Sequence, residues 1–230
     1  MGGISSRIAL GLAAVVAAFF VLAGTAYAGA VIQTDPVEYT FLPGPYVQGL
    51  GETATLDNSV SENWHDVVAT KKGPDGKPLF STPLARGGET KVVQGTQYLA
   101  AGTYHFICSF HGAGMSGDLT IDGSSGSASP RPSVKLTFPA QSLKQVRKSG
   151  VKVKIKATTA SSKVKVTAKA GKVTLGTSRA LDFTAGQSKT VNLPLTKAGR
   201  KAIARPKSVQ IKLSAAVPYG KSASASRKVK

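Results

Sequence analysis

The residues with the most distinctive chemistry lie in one short stretch, Cys108 to Met115. This stretch holds the only cysteine of the 230-residue chain, one of its three histidines and the only methionine besides the first residue. A thiolate, an imidazole and a thioether suit a soft or borderline metal ion, and copper accepts sulfur and nitrogen ligands together. The spacing of Cys108, His111 and Met115 therefore predicts a copper site.

A second imidazole is needed to complete the usual blue-copper set of two histidines, one cysteine and a weak axial methionine. The remaining histidines are His65 and His105. His105 lies three residues before Cys108 on a predicted strand, where successive side chains point to opposite faces, so it is expected to point away from the thiolate. We therefore predict His65 as the other imidazole ligand.

These residues also carry a resemblance to a known family. The stretch from Gly102 to Ile121, together with His65 and Val67 upstream, resembles the ligand loop and last two strands of a plastocyanin-like cupredoxin. The resemblance covers roughly residues 34–122. It implies a Greek-key β-sandwich, and one type 1 copper ion held by His65, Cys108, His111 and Met115.

The chain departs from the family pattern at several positions. Three residues separate His111 from Met115, one fewer than in plastocyanins. Trp64 and Phe110 stand where proline is common, and either cover the site or belong to the core or rim. Asp66 replaces the usual asparagine. The resemblance implies that Asp66 reaches across to the ligand loop, where Ser109 is its natural partner; the alternative is a solvated carboxylate.

The first 28 residues have the pattern of a signal peptide. Arg7 precedes an apolar run from Ile8 to Ala23, and Ala26-Tyr27-Ala28 is a small-residue cleavage site. The alternative is an uncleaved membrane anchor. The pattern predicts an exported protein, secreted or held in the cell envelope. A lone cysteine in an oxidising compartment forms no internal disulfide, so Cys108 is either a free thiol or a metal ligand.

Charge divides the rest of the chain into two unlike halves. Residues 29–127 carry ten acidic and five basic side chains, a net charge of −5, whereas residues 128–230 carry one acid, Asp182, and 24 lysines and arginines, a net charge of +23. Such asymmetry indicates separate domains. The predicted organisation is a signal peptide (1–28), a cupredoxin copper-binding domain (29–123), a Gly/Ser/Pro linker (124–133), a basic immunoglobulin-like β-sandwich (134–221) and a basic tail (222–230).

Both halves have the pattern of short strands, which predicts an all-β protein made of two successive sandwiches. Short helical turns are expected at Ser142–Lys148 and at Thr196–Ala204, the latter with Thr196 as N-cap. The basic half loosely resembles the lysine-rich immunoglobulin-like modules of secreted actinobacterial proteins. The predicted strands are Val37–Phe41, Thr53–Asp57, Asp66–Ala69, Lys91–Val93, Tyr104–Cys108, Asp118–Ile121, Val151–Lys156, Lys163–Val166, Val191–Leu195 and Val209–Leu213.

The charge of the basic half bears on its partners. A cationic surface outside the cell attracts anionic wall polymers or a membrane surface, and the alternative is a solvated surface with no partner. Nucleic acid is disfavoured, because Phe138, Phe183 and Tyr219 are the only aromatic residues after the linker.

The predicted ligand set indicates a single-electron carrier that works with redox partner proteins, and not an enzyme. An enzyme would need an open coordination position or a second metal cluster, and the chain has no His-x-His pair from which to build one. The alternative function is holding or delivering copper in the envelope.

Overall fold

A computed structural model describes residues 29–230, which form a nearly all-β structure with two hydrophobic cores. The predicted signal peptide, residues 1–28, lies outside the described residues. One core is built from buried residues between Ala30 and Ile121, and the other from buried residues between Val134 and Val229. The predicted all-β sandwich class is confirmed. Within residues 29–230 no helix is both long and apolar enough to cross a membrane.

The acidic half contains two sheets. Their strands are Val31–Gln33 (β1), Tyr46–Leu50 (β2), Thr55–Asn58 (β3), Val68–Ala69 (β4), Glu89–Val92 (β5), Gly102–Cys108 (β6) and Gly112–Gly126 (β7). In one sheet, β3 lies between β1 and β5; the other has the order β2-β7-β6-β4. The pairs β1–β3 and β2–β7 are parallel and the others antiparallel. A short 3₁₀ helix, Thr96–Tyr98, precedes β6.

The strand predicted at Val37–Phe41 is wrong. Residues 36–40 form bends, and only Phe41 makes a bridge, to Thr34. The reason is local: Oδ1 of Asp35 accepts hydrogen bonds of 2.8 Å from the backbone N–H groups of both Val37 and Glu38. These bonds curl the chain into an Asx turn. An aspartate followed by proline favours such a turn.

The basic half has two further sheets and two short helices. The strands are Val134–Thr137 (β8), Val151–Ala157 (β9), Ser161–Ala170 (β10), Val173–Thr177 (β11), Leu181–Phe183 (β12), Ser188–Leu193 (β13), Val209–Ala216 (β14) and Ala223–Val229 (β15). One sheet has the order β13-β9-β8, and the other has the order β11-β10-β14-β15, with β12 also paired to β10.

Both predicted helical turns are confirmed. Leu143–Ser149 (α1) begins after Ser142, whose hydroxyl accepts from the backbone N–H of Gln145, and Gln145 bonds back to Ser142 in a capping box. Lys197–Ile203 (α2) begins after Thr196, whose hydroxyl accepts from the N–H of Gly199.

Most of the predicted basic tail (222–230) forms a strand, β15, which spans Ala223–Val229. β15 is antiparallel to β14 along its length, from Ala223 opposite Ala215 to Val229 opposite Val209. Val229 is 1% exposed within the basic core. The sequence does not predict this strand, because the exposed charges of Arg227 and Lys228 at two consecutive positions break the alternation of apolar and polar residues.

The two halves contact each other beside the predicted linker. The backbone N–H of Tyr219 donates to Oδ2 of Asp75 over 2.9 Å, and the Tyr219 ring centroid lies 6.1 Å from that of Tyr98. Residues 124–126 of the predicted linker continue β7. Farther along, the N–H of Ser129 donates to the carbonyl of Gln97 over 2.9 Å. This part of the chain is therefore bonded to the acidic half.

Candidate metal centre

Three of the four predicted metal ligands lie on one hairpin. Cys108 is the last residue of β6, His111 lies in the turn, and Met115 lies near the start of β7. Cys108 is fully buried on the same strand face as Phe106. Gly112 follows the turn with φ of +71°, a conformation that favours glycine. This tight reversal lets Cys108 pair with Gly112 and keeps both sulfur-bearing residues on the buried side, since Met115 is also fully buried.

His65 reaches the hairpin from a segment 43 residues earlier. Its backbone is fixed by paired hydrogen bonds with Ala85, of 3.0 Å from His65 N–H and 2.7 Å to its carbonyl. The side-chain amide of buried Asn58 ties the surrounding loops together, donating to the carbonyls of Asn63 and Arg86 over 2.8 and 2.9 Å. His65 is therefore held by backbone and side-chain bonds outside any regular strand.

The ligand atoms converge within metal-binding distance. Sγ of Cys108 lies 4.0 Å from Nδ1 of His65 and 3.5 Å from Nδ1 of His111, and the three ligand atoms all lie within 4.8 Å of one another. Zinc binds sulfur at about 2.3 Å and imidazole nitrogen at about 2.0–2.1 Å. Donors that share one ion of similar size are therefore separated by roughly 3.5–4 Å. The two distances from Sγ of Cys108 lie in this range, which allows Cys108, His65 and His111 to share one ion.

His105 lies outside this cluster, on the other face of β6. Its side chain is exposed, and Nδ1 lies 2.9 Å from Oδ1 of Asp118, its cross-strand neighbour. Alternation along β6 thus separates His105 from the buried Cys108.

Buried Ser61 is a further residue of the site and was not predicted from the sequence. Its hydroxyl oxygen lies 3.3 Å from Nε2 of His65, on the side of the ring away from Cys108. If Nε2 carries the proton and donates to Ser61, Nδ1 is left as the free acceptor, which is the form of the ring that binds a metal. Ser61 lies four residues before His65 on an irregular loop, and no sequence periodicity links the two.

Asp66 and Ser109 meet as the resemblance implied. Oδ1 of Asp66 accepts from the backbone N–H of Ser109 over 2.6 Å, and Oδ2 accepts from its hydroxyl over 2.5 Å. Asp66 is only 6% exposed. These two bonds join the residue after His65 to the residue after Cys108, so they fix the spacing of the two ligands.

Burial shifts the pKa values of His65 and Cys108 in the directions that favour their uncharged forms. Burial lowers the pKa of His65, and the nearby His111 lowers it further, against the opposing effect of Asp66. Burial also raises the pKa of the Cys108 thiol, although backbone hydrogen bonds from Asp66, His111 and Phe110 oppose this. A cation that binds here takes the place of the thiol proton, so binding releases a proton.

His111 connects the cluster to the surface. Its half-buried ring lies 4.6 Å from that of Tyr39 and 5.1 Å from that of Phe110. Tyr39 is 56% exposed and Phe110 64% exposed, so both belong to the rim and not to the core. Trp64 is also exposed, and the Arg86 guanidinium lies 4.8 Å from its ring centroid. Tyr39 was not predicted as part of the site, because residues 37–41 have the sequence pattern of a strand.

Comparisons with known proteins assign no family: no family model matches the chain, and no curated protein matches it significantly. Among solved structures, auracyanin B is 22% identical, with 40% of this chain and 86% of that chain covered, at a TM-score of 0.33. A DUF3823 family protein from Bacteroides ovatus is 13% identical (73% and 89% covered, TM-score 0.25), and bovine butyrophilin is 10% identical (88% and 100% covered, TM-score 0.22). At such TM-scores none of these likenesses supports an argument. The interpretation rests on the cluster of His65, Cys108, His111 and Met115, which fits a type 1 copper site.

Proposed function

We propose that this protein is an exported blue copper protein of the cupredoxin type that carries single electrons. The observation that carries the proposal is the position of the buried Cys108 sulfur between two imidazole Nδ1 atoms. Two histidines, one cysteine and a methionine are the donors typical of blue copper, whereas structural zinc sites use cysteine and histidine without a thioether. A bound copper ion would supply a one-electron couple.

The surroundings of the ligands favour retention of the ion. His65, Cys108 and Met115 are buried, and the Asp66–Ser109 bonds hold the two ligand segments together. Such outer hydrogen bonds orient ligands and raise metal affinity. A protein that delivers copper needs an exposed, exchangeable site. The burial of the ligands therefore favours a carrier over a copper-delivery protein, and reversible redox cycling distinguishes a carrier from a copper-holding protein.

His111 is the proposed route for the electron. Its ring is the only half-buried one in the cluster, and the exposed rings of Tyr39 and Phe110 flank it. An apolar rim allows a partner protein to approach closely without desolvating charges. Redox partner proteins would then dock around His111.

The function is tested by redox titration of the chain loaded with one copper ion. A carrier takes up and releases one electron per chain reversibly and keeps its copper in both states in the presence of a moderate chelator. Loss of copper to the chelator on reduction would favour delivery instead. Failure to cycle would contradict the proposal. The His105→Ala variant is the matched control and should cycle like the wild type.

The proposal that the protein is exported rests on the sequence pattern of residues 1–28 alone. Expression with the native leader should give a chain that begins at Gly29 and is recovered outside the cytoplasm, as judged by N-terminal sequencing of the purified protein. A chain that keeps its leader and sediments with membranes would indicate an uncleaved anchor.

A further inference from the structure

We infer that one sheet face of the basic half binds a linear polyol phosphate polymer, in which phosphodiesters join short polyols. The binding residues are four exposed lysines that lie side by side on β8 and β9, which we call the lysine ladder: Lys135, Lys152, Lys154 and Lys156. This inference goes beyond the proposed copper function and does not rest on it.

The ladder is a product of strand geometry. Lys152, Lys154 and Lys156 alternate with the buried Val153 and Ile155, so the three ammonium groups leave β9 on the same face. At about 3.3–3.4 Å per residue, they recur roughly every 6.7 Å. On one neighbouring strand, β8, Lys135 lies opposite Lys156. On the other, β13, short polar residues lie opposite the three lysines: Ser188, Thr190 and Asn192.

The stability of the fold does not account for this arrangement. Like charges directly opposite each other on a sheet are destabilising, yet Lys135 and Lys156 are register partners. Among the described residues the ion pairs are Lys91–Glu89 and His105–Asp118, both in the acidic half. The one carboxylate side chain after the linker, Asp182, accepts a hydrogen bond from the backbone N–H of Lys163. An external anion would therefore relieve the repulsion within the ladder.

The backbone that carries the ladder is held by hydrogen bonds along both edges of β9. β9 pairs with β13 on one edge and with β8 on the other. Beyond the end of β8, the side-chain amide of Gln141 donates to the carbonyl of Lys152 over 2.8 Å and accepts from its N–H over 3.0 Å. The strand backbone needs no ordering when a ligand binds, which lowers the cost of binding.

The rest of the surface selects the kind of polyanion. The large exposed hydrophobic residues of the described chain all lie between Val31 and Phe110, so the basic half has none to insert into a lipid layer. Of its aromatic residues, Phe138 and Phe183 are buried, and Tyr219 packs against Tyr98 of the acidic half. None of the three is therefore free to stack on a nucleic-acid base. Regularly spaced point charges flanked by hydroxyl and amide groups suit phosphates joined by a short polyol.

The test measures binding of residues 29–230 to poly(glycerol phosphate) at low salt and its dependence on salt concentration. The ladder variant K135Q/K152Q/K154Q/K156Q is compared with K197Q/K201Q/R205Q/K207Q, which removes the same charge from exposed positions on and after α2. The wild type should bind and lose affinity steeply with salt. The ladder variant should bind at least about 10-fold more weakly, with a salt slope smaller by about 0.7 per lost phosphate contact. The control variant should change by less than about 3-fold.

Three results would overturn the inference. Equal weakening of the two variants would show that net charge alone binds the polymer. Binding to anionic phospholipid vesicles or to single-stranded DNA at least as tight as to poly(glycerol phosphate) would assign a different partner. Absence of binding at low salt would leave the ladder as a solvated face. Circular dichroism spectra of both variants check that they are folded.

Discussion

The acidic half completes its candidate metal site by bringing a loop histidine, His65, to the β6–β7 hairpin, whereas the basic half presents its charges on one face of regular strands. His65 depends on backbone bonds to Ala85 and on Ser61. Lys154, in contrast, is exposed because its neighbours Val153 and Ile155 are buried. A metal site requires ligands from distant segments to converge within a few ångströms. A charged face requires only alternation along a strand, so it tolerates substitution residue by residue.

The largest effect is expected when a convergent ligand is removed. His65→Ala should lower copper affinity by more than about 100-fold, since loss of even an outer hydrogen-bond partner of a ligand typically costs about 10–100-fold. His105→Ala should leave the affinity unchanged, because this ring is exposed and pairs with Asp118. Competition with a chelator of known affinity measures both. Equal losses in the two variants would break the assignment of His65.

Truncation of a core side chain tests whether the two halves unfold independently. Ile155→Ala should destabilise the basic half by about 2–5 kcal/mol, since it leaves a cavity in a fully buried position. The exposed Lys154→Ala should change stability by less than about 0.5 kcal/mol. Denaturant unfolding is followed by circular dichroism and by the fluorescence of Trp64, the one tryptophan, which lies in the acidic half. A shift of the Trp64 transition as large as that of the basic half would show that both halves unfold as one unit.

Loss of the bond between the ligand segments should have a smaller effect on the site. Asp66→Ala removes both hydrogen bonds to Ser109 and should lower copper affinity by about 10–100-fold. Ser109→Ala removes only the hydroxyl bond and keeps the backbone one, so its effect should be smaller. The chelator competition used for His65 measures both variants. An unchanged affinity in Asp66→Ala would show that the bridge is dispensable.

Replacement of the axial candidate should change potential more than binding. Met115→Leu keeps a buried apolar side chain in the core but removes the thioether, which donates modestly to oxidised copper. The reduction potential should rise while the blue colour persists, as measured by voltammetry together with absorption. A variant with unaltered potential and spectrum would show that Met115 does not act as a ligand.

The smallest effect concerns the contact between the halves. Burial raises the pKa of Tyr219, as do nearby Asp75 and Tyr98, against a hydrogen bond with Ser81. Because the folded pKa lies above the unfolded value, the stabilisation is complete below pH about 10 and is lost as pH rises through the folded value. Small-angle scattering of the wild type should show that the two halves move apart as the pH rises above about 10. Tyr219→Phe has no phenol to ionise and should not show this step; the same loosening in both would assign it to other groups.

The sequence predicted the basic half best where its residues alternate strictly. β9 was found from Val151 to Lys156 because one face is apolar and the other cationic, and α2 was found from its Thr196 cap. β15 was missed because Arg227 and Lys228 interrupt the alternation. Its place in the core depends on pairing with β14, a contact that no local pattern encodes.

In the acidic half the chemistry was more predictable than the structure around it. The rarity of cysteine and methionine singled out Cys108 and Met115, and alternation excluded His105. Ser61 and Tyr39 were not predicted, because each contacts a ligand from a loop whose path is set by hydrogen bonds, as the Asp35 turn shows. Common residue types become recognisable as parts of a site only when tertiary contacts place them there.

Ligation of one copper ion by the Cys108 thiolate is tested by the visible absorption spectrum of residues 29–230 loaded with one equivalent of Cu(II). The wild type should show an intense band from thiolate-to-copper charge transfer, which disappears in Cys108→Ser and persists in His105→Ala. A wild-type protein that binds one copper ion per chain and remains colourless would contradict ligation by the thiolate.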